Sequence, residues 1–147
     1  MDEQNNKFIP YVIETSVGCD RFLLAILCDA YRSNEDRVVL KFHPNFAPYK
    51  AAVFPLMKKD ELMEPATKIY NDLRKHYKVD FDAAGSIGKR YRRHEEIGTP
   101  FCITVDYDGL VSQTVTIRHR DTMAQERIPM SKIHEYISHA FANWKME

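Results

Sequence analysis

The chain has 147 residues, a length that suits one domain or a small domain with an appendage. Its 21 Lys and Arg balance 21 Asp and Glu, so the net charge is zero, which excludes a general nucleic-acid coat and leaves any such binding to a local patch. The three cysteines, Cys19, Cys28 and Cys102, have no CxxC spacing and are odd in number. They exclude a disulfide framework or a cysteine zinc site and read as reduced thiols of a cytoplasmic protein.

Residues 1–7 are polar, unlike a signal peptide, and read as a frayed end. FIPYVIETSV (8–17) is rich in β-branched and aromatic residues and predicts a strand, with Pro10 near an edge. Gly18 breaks it, and FLLAILCDAY (22–31) follows as a helix apolar on nearly every side, as one buried between layers would be. It is far shorter than the roughly 18 apolar residues of a membrane span. RSNEDR (32–37) reads as a charged loop and VVLKF (38–42) as an apolar run of either type. Residues 43–50, with two prolines and no periodicity, predict a linker between a unit at 1–42 and a second at 51–147.

The second unit opens with a buried strand at 51–56. After a polar connection at 57–63, Pro65 suits the first turn of a helix whose inner face is Ala66, Ile69, Tyr70, Leu73 and Tyr77. VDFDAAG (79–85) alternates as a half-buried strand. A second helix lies within 85–100, with Ser86 at its start and Gly98 and Pro100 at its end. FCITVDYD (101–108) is a strand, Asp108 and Gly109 predict a hairpin turn, and 111–118 pairs back. After a turn at 119–122, residues 123–129 give a last strand, and Ser131 caps a closing helix with Ile133, Ile137 and Phe141 inward. Helices between the early strands imply parallel pairing; hairpins imply antiparallel pairing late. The fold class is α/β: a mixed five-stranded sheet flanked by helices, preceded by a separate strand and helix.

The helix at 85–100 carries Lys89, Arg90, Arg92 and Arg93 within five residues. Ile87, Tyr91, His94 and Ile97 form a stripe on another side. A basic face with an aromatic beside it suits RNA, whose splayed bases stack on aromatics or Arg planes while cations hold phosphates. An ordinary solvated helix face is the competing reading. Arg118, Arg120 and Asp121 are weaker candidates at a strand end. Upstream, Glu14 and Ser16 share a strand face and can hold a ligand ammonium, and Arg21 at a helix start can hold a phosphate; an N-capping polar cluster explains the same residues. The six histidines form no metal spacing, and there is no GxSxG, P-loop or GxGxxG.

Two stretches together resemble a known family. IPYVIETSVGCDRFLLAIL (9–27) resembles the third signature motif of class II aminoacyl-tRNA synthetases in its glycyl-tRNA synthetase version. GSIGKRYRRHEEIGTPF (85–101) and TVTIRHRDTMAQERI (114–128) resemble the anticodon-binding domain of the same enzymes, and the likeness spans nearly the whole chain from Lys7. The resemblance implies the anticodon-binding fold shared by glycyl-, prolyl-, threonyl- and histidyl-tRNA synthetases. It also implies part of a homodimeric glycine–tRNA ligase that uses ATP and Mg²⁺. Carried over residue by residue, Glu14, Thr15, Ser16 and Gly18 would contact glycine. Gly18, Cys19, Asp20 and Arg21 would contact ATP; Cys19 departs from the more usual aliphatic residue. Lys89, Arg90, Tyr91, Arg92, Arg93, Arg118 and Arg120 would meet the anticodon stem-loop of glycine tRNA. Neither of the two earlier catalytic motifs is in the sequence. The expectation is therefore a C-terminal piece that binds tRNA, makes no glycyl-adenylate by itself and holds no cofactor. A non-catalytic accessory or dimerisation module, or another synthetase of the subgroup, are the alternatives; the ETS of 14–16 favours glycine.

Overall fold

The computed structural model describes residues 4–7, 9–34 and 36–144. Helix α1 (Cys19–Ala30) leads into an antiparallel hairpin of β1 (Tyr31–Asn34) and β2 (Arg37–Leu40). The main body follows as β3 (Ala51–Pro55), α2 (Asp60–Leu73), β4 (Val79–Phe81), α3 (Ile87–Glu96), β5 (Phe101–Val105), α4 (Tyr107–Ser112), β6 (Thr114–His119), β7 (Gln125–Pro129), a 3-10 turn (Met130–Lys132) and α5 (Ile133–Ala142). Its five strands are ordered β4-β3-β5-β6-β7, with β3 parallel to β4 and β5 and the β5-β6-β7 pairs antiparallel. This is the mixed sheet that the sequence predicts.

Alternation along the strands sorts the core into two layers. Ala51, Val53, Phe101, Ile103, Val115 and Ile117 face α2 and α5, meeting Leu62, Ala66, Ile69, Leu73, Ile133 and Ile137. The opposite side, Ala52, Phe54 and Cys102, meets Ile87 and Tyr91 of α3. β3 and β5 are buried on both faces and therefore read as continuous apolar runs. Beyond the edge of α3 that second face is polar, because Thr116 and Arg118 of β6 and Gln125 and Arg127 of β7 continue the register of Thr104 and Cys102.

Helix α3 ends in a Schellman motif. Thr99 N–H bonds to the His94 carbonyl at 2.8 Å and Gly98 N–H to the Glu95 carbonyl at 3.1 Å, with Gly98 at φ +81°. His94 is buried below this turn, with Nδ1 3.0 Å from Thr99 Oγ1 and Nε2 3.4 Å from Asp80. Burial pulls its pKa down, so the neutral ring suits the site. Strand β2 crosses where Gly98 has no side chain: a Cβ there would lie 2.5 Å from Phe42 Cδ2 and 2.7 Å from Leu40 O.

Several expectations fail locally. Residues 9–18 form no strand and are exposed throughout; with no neighbouring strand in register, β-branched residues cannot make a strand alone. Phe8, residues 1–3 and 145–147, which fell within that and other expected segments, lie outside the described residues. The α1 helix is present but is not buried between layers. Phe22, Leu23, Leu24 and Leu27 are exposed, and only its end, Ala30 with Ile26, packs on Phe42 and Ala47. The charged run 32–37 belongs to the hairpin, apart from Glu35, which is outside the described residues. Residues 43–50 wrap around Lys50, whose Nζ donates to the carbonyls of Pro44, Asn45 and Ala47. Pro65 sits in the second turn of α2, which starts five residues earlier, at Asp60. The hairpin expected at Asp108 and Gly109 is instead helix α4, capped by Asp106 accepting from Gly109 N–H at 2.7 Å. Gly109 is required because a Cβ would strike the Thr114 carbonyl. Ser131 lies in the 3-10 turn and makes no cap; Lys132 holds the N-cap position of α5.

Gly98→Ala is expected to lower stability by about 1–3 kcal/mol, combining a left-handed backbone with overpacking against β2. Urea denaturation of the two proteins checks this; an unchanged midpoint would show that β2 does not press on the helix end.

Candidate nucleic-acid interface

The hairpin, α3 and β6 enclose a groove of about 750 Å³ lined by Asn34, Asp36, Arg37, Gly88, Tyr91, Arg92, Glu95, Arg118 and Met123. At its base is Glu95, nearly buried. Its Oε2 accepts from Arg37 Nε at 2.9 Å and its Oε1 from Arg118 Nη2 at 3.2 Å. Arg37 also donates through Nη2 to the Arg120 carbonyl. Arg118 in turn lies 4.8 Å over the ring of Tyr91. That ring is braced edge-on against Phe54 and by a 2.7 Å hydrogen bond between its hydroxyl and Thr104 Oγ1. Burial pushes the Tyr91 phenol up, outweighing the Thr104 bond, so it stays neutral. The groove therefore presents a guanidinium plane held at one face by Tyr91 and at its edge by Glu95, a form on which a nucleobase can stack.

Along α3, Lys89, Arg92 and Arg93 are exposed to solvent, with Arg92 also lining the groove. Arg92 Nη2 donates to the Asp36 carbonyl at 3.0 Å, tying helix to hairpin. Arg93 is held by Asp82 and by the Ala84 carbonyl at 2.8 Å. Burial pushes the Asp82 carboxyl up, but Arg93 and the Ala84 N–H outweigh it and hold it below the usual carboxylate range. On the open sheet face, Arg127 pairs with Asp106 at 2.7 Å. Partial burial raises the Asp106 carboxyl, and the Arg127 and Gly109 bonds bring it below its ordinary range.

The remaining sequence candidates are placed differently. Arg90 is interior: its guanidinium serves the Gly85 carbonyl, at 3.2 and 2.9 Å, and the Pro55 carbonyl. The periodicity put it on the basic face, but it is a strut between the α3 start and the β3 end. Arg120 is also interior, donating to the Gly98 and Phe42 carbonyls at 2.9 and 2.8 Å and to Asp121. Glu14, Thr15, Ser16, Gly18, Cys19, Asp20 and Arg21 are all exposed. Among the described residues no group of three His, Cys, Asp or Glu is positioned to hold a metal ion, and no helix is long and apolar enough to cross a membrane. The sequence reading missed Arg37, Glu95, Asp106 and Arg127. The partners of Glu95 stand 58 and 23 residues away, and only the alternation of β6 and β7 hinted at Arg127.

Residues 50–139 match the family described as "Anticodon binding domain". The chain belongs to the anticodon-binding domain family. Among curated relatives, the glycine–tRNA ligase of Treponema denticola is 51% identical over 98% of this chain and 34% of that protein. Those of Alkaliphilus oremlandii and Chlorobaculum tepidum are 58% and 56% identical over 91% of this chain, covering 30% and 29% of theirs. The chain thus spans about a third of the length of these relatives. A crystal structure of prolyl-tRNA synthetase from Cryptosporidium parvum, complexed with L-proline and AMP, superposes with a TM-score of 0.64 at 22% identity, over 72% of this chain and 24% of that one. That likeness shows the fold alone. The anticodon-binding domain match begins at Lys50, so the hairpin wall of the groove precedes it.

Glu95 ties this wall to the domain. A double-mutant cycle of Arg37→Ala and Glu95→Ala is expected to give a coupling of about 1–3 kcal/mol in urea denaturation, below a fully buried pair because Arg37 keeps some solvent contact. Simple additivity of the two substitutions would contradict the pairing.

Proposed function

We propose that this chain reads the anticodon stem-loop of glycine tRNA on the α3 face of its sheet. The observation that carries the proposal is the Arg118 guanidinium fixed over Tyr91 at 4.8 Å, beside three exposed cations, in a domain of the anticodon-binding family. Single-stranded RNA loops are bound by such stacking surfaces, each stacked base contributing about 1–3 kcal/mol, with cations on the phosphates. Lys89, Arg92 and Arg93 take the phosphate role. Tyr91 acts beneath Arg118 rather than as the exposed stacking ring. Arg90 and Arg120 act from below, holding the strand ends and turns that shape the surface.

The wider proposal is that residues 51–147 are the RNA-binding unit, joined by 43–50 to a part (1–42) of the catalytic unit of a glycine–tRNA ligase. The names of the curated relatives support this. In such a whole enzyme, a cytoplasmic homodimer, Glu14, Thr15, Ser16 and Gly18 would face glycine, and Gly18, Cys19, Asp20 and Arg21 would face ATP and its Mg²⁺. ATP supplies the activated adenylyl group. The 14–21 segment is exposed in this chain, and no catalytic step is assigned to it.

Titration with glycine tRNA, an anticodon-altered version and an unrelated tRNA tests the reading. Glycine tRNA is expected to bind tightest, each of Lys89→Ala and Arg92→Ala to weaken all three, and the salt slope to fall by about 0.7–0.9 per lost phosphate contact. Equal affinity for the three tRNAs would overturn anticodon reading.

A further inference from the structure

The groove has two walls, and only one lies in the segment that matches the anticodon-binding family. Arg92 of α3 reaches the Asp36 carbonyl, and Arg37 of β2 reaches both Glu95 of α3 and the Arg120 carbonyl after β6. The hairpin is thereby fastened across the groove at both its turn and its second strand. Lys41 N–H bonds to the Ala30 carbonyl at 2.7 Å, which fixes the hairpin base to the end of α1. Strand β2 is further seated over side-chain-free Gly98. An ornamental hairpin would need none of these ties. Their joint effect is to hold Asn34 and Asp36, both exposed, in the lining of the same groove as Arg118.

We propose that the β1–β2 hairpin is the second wall of an RNA-base pocket. One unstacked base lies on the Arg118 guanidinium, between α3 and the hairpin, and its edge and flanking phosphate face Asn34, Asp36 and Arg37. This rests on the reading of the α3 face as the RNA surface and extends it to residues before the matched segment. The chemistry suits a base rather than a bare anion. The floor is a delocalised planar cation whose charge is already shared with Glu95, and the rim offers an amide, a carboxylate and a guanidinium, the groups that read donor and acceptor edges. Asp36 is the rim group that opposes phosphate, so reversing its charge changes affinity in a direction that loss of folding cannot imitate.

The test uses the full 147-residue chain and a fluorescein-labelled anticodon stem-loop of glycine tRNA, read by fluorescence anisotropy. Asp36→Lys is expected to tighten binding about three- to tenfold, and Asn34→Asp to weaken it by a similar factor, as charges close to RNA phosphate do. Glu64→Lys makes the same charge change on exposed α2, on the opposite face, and is expected to alter affinity less than about twofold. Thermal unfolding of each variant confirms a folded chain. Matching effects of Asp36→Lys and Glu64→Lys, with the parent still preferring glycine tRNA, would overturn the hairpin wall and leave the α3 reading standing. A parent chain that prefers no tRNA would overturn both.

Discussion

One nearly buried carboxylate holds three parts of this chain together. Glu95 projects from α3 and pairs with Arg37 of the hairpin and Arg118 of β6. Removing a carboxylate from water costs several kcal/mol, which its attraction to partners offsets only when geometry and hydrogen bonding are good. Here both oxygens are used by separate guanidiniums, each of which keeps some contact with solvent. The arrangement therefore does more to fix position than to add stability. It sets the hairpin at one distance from the sheet and Arg118 at one orientation over Tyr91.

That constraint turns an ordinary helix-on-sheet layer into a recognition surface. A free arginine loses much side-chain entropy when a ligand immobilises it. Arg118 has already lost that freedom, held by Glu95 at its edge and Tyr91 at its face. Tyr91 is itself immobilised by Phe54 and Thr104. The Gly98 turn completes the device by letting β2 pass close to the end of α3. Interior Arg90 and Arg120 tie carbonyls at the ends of β3 and α3, and so keep the elements beneath the groove in register.

The parts of the fold written in local pattern were legible in the sequence. The inner face of α2, the doubly buried β3 and β5, and the glycine stop of α3 all follow from spacing and composition. What was not legible depends on distant partners. Residues 9–18 have strand-forming side chains but no strand to pair with. The first strand of the hairpin, β1, is exposed throughout and polar after Tyr31, so 32–34 read as a loop. Asp108 and Gly109 carry a turn signal, yet Asp106 caps a helix there and Gly109 is needed for its close approach to Thr114. The basic run of α3 was visible as charge. That Arg90 turns inward while Arg92 and Arg93 face out depends on the Pro55 and Gly85 carbonyls, which no helical spacing reveals.

The account predicts a footprint that follows the groove and ignores the far face of the sheet. Hydrogen–deuterium exchange of the chain, with and without saturating glycine tRNA, measures it directly. Slowed exchange is expected in 31–40, 87–96 and 114–119, with α2 (Asp60–Leu73) unchanged. Protection concentrated on α2 and α5, with the hairpin and α3 unaffected, would contradict it.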